Sequence, residues 1–222
     1  MTLCPSPNFG ERRGGVRPSI IVIHYTAMAS CAEAQARLCD PQFEVSAHWL
    51  ISETGQALAL VDEAHRAWHA GAGEWAGLTD INSHSIGIEL ANTGSQPFAE
   101  PQMVALEALL RGIMARWAIP AHHVIAHSDM APGRKGDPGR RFDWRRLALQ
   151  GLSVWPDAPG DPAQPLDHSL DAIGYPQAPD AARLTAFRLR FRPWATGPEV
   201  PQDRAQADSV GRLMASLSAS MV

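Results

Sequence analysis

The sequence predicts a mixed α/β domain, with a central β-sheet flanked by helices, followed by a small all-α unit. Three observations carry this. Short β-branched runs alternate with helix-like segments through residues 1–150. Trp155–Pro165 then sets four prolines in eleven residues, the composition of a linker. Beyond it, residues 166–222 show helical periodicity and no convincing strand. The expected organisation is one domain over 1–150, a Pro-rich linker over 151–165 and a three-helix unit over 166–222.

The elements follow in order. Ser19–Tyr25 is β-branched and apolar on both faces, so it reads as a buried strand, with His24 near its end. Ser30–Leu38, rich in Ala, Glu and Gln, reads as a helix. Val45–Ile51 and Gln56–Val61 flank Glu53-Thr54-Gly55, a hairpin signal. Ser85–Ala91 alternates strictly, with Ile86, Ile88 and Leu90 on one face and Gly87, Glu89 and Ala91 on the other. Pro101–Trp117 has helical periodicity, with proline at the first turn, where its missing N–H costs nothing. His123–His127 is a second short strand ending in histidine, and Phe142–Leu149 a helix. Helices are expected near 166–173, 180–191 and 203–217.

Composition bounds the function. At 45% hydrophobic and 19% charged residues the chain can bury a core. The net charge of −4 divides evenly about residue 150, so no basic footprint for nucleic acid or an anionic membrane is present. No run is long enough to span a bilayer or serve as a signal h-region. As written, the sequence predicts a cytoplasmic protein, or a periplasmic or secreted one if a leader was removed. Cys4, Cys31 and Cys39 are odd in number and form no CxxC pair. That argues against a disulfide framework and leaves Cys31–Cys39 as an open pairing.

Three residues could bind a metal. His24 and His127 end predicted strands, where ligand sites of α/β sheets gather, and Asp137 follows in a Gly/Pro-rich loop. Two imidazoles and a carboxylate leave one position open on a tetrahedral zinc, the catalytic pattern. A lone strand-end histidine is more often a hydrogen-bonded core residue than a ligand, and no HExxH motif is present. Glu89 shares its face with the small Gly87 and Ala91. That face either leaves room for a ligand, which would raise the carboxyl pKa by desolvation, or is simply solvated. Lys135 is the one lysine among eighteen arginines and stands two residues before Asp137. In an extended loop two such residues point to one side.

Together these residues fall into five ordered motifs: His24-Tyr25-Thr26, Val45–Ile51, Ala67-Trp68-His69-Ala70-Gly71, Asn82–Glu89 and His127–Gly139. Over about residues 17–150 the chain closely resembles the type 2 N-acetylmuramoyl-L-alanine amidases, zinc enzymes of peptidoglycan cleavage. The resemblance implies one Zn2+ held by His24, His127 and Asp137, with Glu89 and Lys135 catalytic. It implies a peptidoglycan or muropeptide substrate meeting Trp68 and His69 in the cleft wall. His48 is expected to pack in the sheet, Asn82 to be a structural or cleft residue, and His65, His122 and His168 to lie on the surface. Trp49 replaces a smaller aromatic ring of the family. Tyr25 is common in one branch, whereas a branch recycling anhydro-muropeptides more often has asparagine.

Residues 166–222 faintly resemble a three-helix peptidoglycan-binding domain at Gly174-Tyr175 and Ala186-Phe187-x-x-x-Phe191, with Arg188 where glutamine is usual. Arg183, Arg188, Arg190 and Arg192 are expected to solvate a helix face, or else to meet an anionic wall. The competing reading is a non-catalytic peptidoglycan-binding module of the same fold. The filled positions at His24, Glu89, His127, Lys135 and Asp137 argue against it.

Overall fold

The structure is a computed structural model and describes residues 2–219. A six-stranded sheet is built from β1 (Thr2–Leu3), β3 (Ile20–Tyr25), β4 (Trp49–Ile51), β5 (Ala57–Ala59), β7 (Ser85–Leu90) and β8 (Val124–Ala126), in the order β1-β5-β4-β7-β3-β8. Only β4–β5 is antiparallel. The short β2 (Phe9–Gly10) and β6 (Arg66–Ala67) form a separate pair. The helices are α1 (Cys31–Leu38), α2 (Ile81–His84), α3 (Glu100–Trp117), α4 (His127–Met130), α5 (Trp144–Leu149), α6 (Leu166–Ile173), α7 (Asp180–Phe191) and α8 (Pro201–Ala219). The expected mixed sheet with flanking helices and helical C-terminal part is therefore present.

Strand alternation decides the two layers. Ile21, Ile23, Ile86, Ile88 and Leu90 point to one face and pack with Leu106, Leu110 and Ile113 of α3 and Trp144 and Leu147 of α5. Each such aliphatic side chain contributes about 1.5–3 kcal/mol by leaving water. The buried Gln102 ties α3 to the sheet by donating its Nε2–H to the Ile51 and Ala91 carbonyls. The hairpin turns at Gly55 (φ +84°), where any Cβ would sit 2.6 Å from the Pro101 carbonyl oxygen.

On the opposite face, Ile20, Val22 and Ile125 join one apolar cluster with Leu170, Ile173, Leu184, Phe187 and Phe191 of the C-terminal helices. These helices thus cover part of the sheet face that carries His24. The proline-rich stretch lies against α8, with Gly160 N–H donating to the Ala205 carbonyl and Asp161 N–H to Asp208.

Several expectations need correction. Arg183, Arg188 and Arg190 do not solvate a helix face but are buried. Their guanidinium groups pair with Asp171, Asp203 and Asp129, and Arg192 also reaches Asp203. Burying a guanidinium requires a paired anion, and these acids come from other elements of the chain. His122 is also buried, edge-on to His123 in the turn before β8. His127 begins the helical turn α4 rather than ending a strand. Cys4, Cys31 and Cys39 are unpaired thiols, so Cys31 and Cys39 form no disulfide. No helix among the described residues is long and apolar enough to cross a membrane. The last part of the predicted 166–222 unit, residues 220–222, lies outside the described residues.

Candidate metal centre

Three polar atoms converge where β3, α4 and the loop after α4 meet. His24 Nδ1 and His127 Nδ1 are 2.9 Å apart, and each lies 3.0 Å from Asp137 Oδ2. All three residues are over nine-tenths buried. Local structure explains the convergence. His24 is the fifth residue of β3, on the face of Ile20 and Val22, and His127 opens α4 immediately after the neighbouring β8. The Asp137 carbonyl accepts the Ser128 N–H at 3.0 Å, which pins the ligand loop to the helix bearing His127.

The outer ring nitrogens fix the tautomers. His127 Nε2–H donates to the Ala70 carbonyl at 3.0 Å, so in the neutral ring it is Nδ1 that carries the lone pair. His24 Nε2 lies 3.0 Å from His69 Nδ1, and His69 Nε2 lies 3.1 Å from Ser85 Oγ, whose hydroxyl donates to the Ile81 carbonyl. The hydrogen bonds are satisfied in one direction if each histidine donates its Nε2–H outward, so His24 Nδ1 also faces inward unprotonated. Burial and the neighbouring His127 push His24 down to about 4, so the ring is neutral near pH 7. Two lone pairs and an anion directed at one point repel one another unless a cation lies between them. The donor set fits a divalent zinc with three protein ligands and an open position.

Glu89 stands beside this point. It is the register partner of His24 across β3 and β7. Its Oε2 is buried and has no hydrogen-bond partner among the described residues. Burial and the Asp137 carboxylate push the Glu89 carboxyl up to about 8, while Lys135 pulls the other way. Lys135 is exposed at the rim and lines the same cleft as Glu89, His24, His127 and Asp137. Trp68 and His69 line it as well.

The space over Gly87 is not left for a ligand, as its size had suggested. The His69 ring fills it, and a Cβ on Gly87 would come within 2.4–2.6 Å of that ring. The supporting loop is held by Asn82, which the sequence left as a structural or cleft residue, and by Arg134, which it did not single out. Asn82 Oδ1 accepts the N–H groups of His69 and Ala70, and Arg134 donates to the Ala70 carbonyl at 2.7 Å and also to that of Ala72. His48 is fully buried in the sheet, its Nδ1 accepting the Gly87 N–H. The carbonyl of Ala70 had no readable signal, because backbone acceptors leave none in a sequence.

Comparison with known proteins places the chain in a family. Residues 14–140 match the family described as N-acetylmuramoyl-L-alanine amidase (Amidase_2). The Escherichia coli N-acetylmuramoyl-L-alanine amidase AmiD is 38% identical over 212 residues, covering 80% of this chain and 76% of that protein. The E. coli 1,6-anhydro-N-acetylmuramyl-L-alanine amidase AmpD is 32% identical, covering 65% of this chain and 88% of that protein. The structure superposes on E. coli AmiD in complex with the substrate anhydro-N-acetylmuramic acid-L-Ala-D-γ-Glu-L-Lys, with a TM-score of 0.81 and 34% identity, covering 93% of this chain and 98% of that one. It also matches AmpDh3 of Pseudomonas aeruginosa in complex with anhydromuramic pentapeptide, with a TM-score of 0.79 and 28% identity, covering 90% and 94%. The chain belongs to the N-acetylmuramoyl-L-alanine amidase family and is an amidase.

Proposed function

We propose that this amidase hydrolyses the amide joining the lactyl group of N-acetylmuramic acid to L-alanine in peptidoglycan or its muropeptide fragments, with one Zn2+ held by His24, His127 and Asp137. The observation that carries the reading is the convergence of two imidazole Nδ1 atoms and a carboxylate oxygen beside the unpartnered Oε2 of Glu89. The muropeptides bound to the E. coli and P. aeruginosa relatives support the substrate class.

When bound, zinc supplies Lewis acidity, polarising a carbonyl and lowering the pKa of water toward about 7. Glu89 accepts the proton of the attacking water at its free carboxylate oxygen and passes it to the departing alanine nitrogen. To do so it must be ionised at the start, and a cation beside it favours that form. Lys135 brings a compact positive charge to the oxyanion that develops on the scissile carbonyl. Trp68 and His69 shape the wall against which the sugar and stem peptide lie.

The test is digestion of a soluble anhydro-N-acetylmuramyl tripeptide by the purified chain, followed by mass spectrometry, with metal content measured in the same preparation. The expected products are the intact anhydro-sugar acid and a peptide beginning with L-alanine, from protein holding one zinc per chain. Protein that binds no zinc and releases no peptide would overturn the proposal.

A further inference from the structure

The metal ligand His127 rests on side chains supplied from beyond the proline-rich stretch. Asp129, two residues after His127, is fully buried. Its Oδ2 accepts the Ala126 N–H at 2.9 Å, closing the turn in which His127 sits. Two side chains from the C-terminal helical part complete that carboxylate. Tyr175, after α6, donates its hydroxyl to Oδ1 at 2.8 Å, and Arg190 of α7 donates to Oδ2 at 2.6 Å. The same guanidinium reaches the Val124 carbonyl of β8 at 3.0 Å and Ser153 Oγ at 3.2 Å, so it brackets the chain on both sides of His127. Trp144 lies under it, with Cζ 4.4 Å from the ring centroid.

A buried ion pair is a weak source of net stability, because desolvation offsets most of the attraction. Its directional bonds do fix geometry. Arg190 and Tyr175 are 2% and 3% exposed, and they aim their donors at the residue that sets the backbone of a proposed metal ligand. Such outer partners orient ligands and commonly change metal affinity about 10–100-fold when lost.

We propose that Arg190 and Tyr175 are positioning residues for His127, acting through Asp129, and that the C-terminal helices are thereby a working part of the metal centre rather than an appended wall-binding module. The inference rests on the zinc reading given above.

The test compares Tyr175→Phe and Arg190→Lys with Arg188→Lys. The last changes another buried pair on the same helix, Arg188–Asp203, which does not touch the chain around His127. Zinc dissociation is measured by transfer to a chromophoric chelator, well below each variant's melting temperature, alongside kcat and KM at saturating zinc. Tyr175→Phe and Arg190→Lys are expected to release zinc about 10-fold faster or more and to lower kcat with KM little changed. Arg188→Lys is expected to lower the melting temperature while releasing zinc at the parent rate. The inference falls if the first two variants release zinc and turn over like the parent, or if all three release zinc in proportion to lost stability. A parent protein that binds no zinc overturns the metal reading itself, an outcome seen before any variant is compared.

Discussion

His24 and Glu89 face each other across the parallel β3–β7 ladder, so an imidazole and a carboxylate rise side by side from one face of the sheet. This pairing has a measurable consequence for stability. Without a metal, burial and the Asp137 carboxylate push the Glu89 carboxyl from its ordinary 4.5 up to about 8. Between those values the folded state keeps a proton that the unfolded state has released, so stability falls as pH rises through that window. Metal-free Glu89→Gln is therefore expected to melt higher than the parent at about pH 9 and close to it at about pH 5. With zinc restored, the same variant should lose about 10²–10⁴-fold in turnover. Melting curves in chelator at the two pH values check the first part, and parallel curves with no widening gap would refute it.

Lys135→Arg keeps the charge at the cleft rim but replaces a compact ammonium with a planar fork. Turnover on a muropeptide is expected to fall about 10²–10³-fold, with zinc content unchanged. Near-normal turnover would remove Lys135 from the role of oxyanion donor.

Gly87→Ala places a methyl group 2.4–2.6 Å from the His69 ring, a contact that only displacement of the ring can relieve. The expected cost is about 1–3 kcal/mol of stability. Because His69 hydrogen-bonds His24, zinc affinity should weaken about 10-fold as well. Chelator competition on the variant and parent measures this.

Asp137→Asn preserves the shape of the ligand and removes its charge. The variant is expected to purify with far less than one zinc per chain and to lose turnover. Chelation of the parent should abolish turnover reversibly, with recovery on adding back zinc. Metal analysis and an activity titration with zinc follow both effects.

Arg188→Ala leaves Asp203 buried with Arg192 as its remaining guanidinium partner. A loss of about 1.5–3 kcal/mol is expected, seen as a drop in melting temperature of roughly 2–4 °C per kcal/mol for a chain of this size.

The sequence by itself determined the five longer strands and the main helices, and it picked out the residues that the fold brings together at the candidate site. Ser85–Leu90 alternates, Ile20–Tyr25 is β-branched, and the His127–Gly139 motif keeps its members close in the chain, so local patterns suffice. The tertiary structure decided what surrounds them. His69 became the partner of His24, and the room over Gly87 was taken by its ring. Arg190 met Asp129 across 61 residues of chain, and Tyr175 met it across 46. No period or spacing encodes such pairs, because they form only when the helices after Pro165 close over the face of the sheet that carries His24. A charged side chain looks solvent-bound until the fold brings its counter-ion to it. Burial then makes that pairing obligatory.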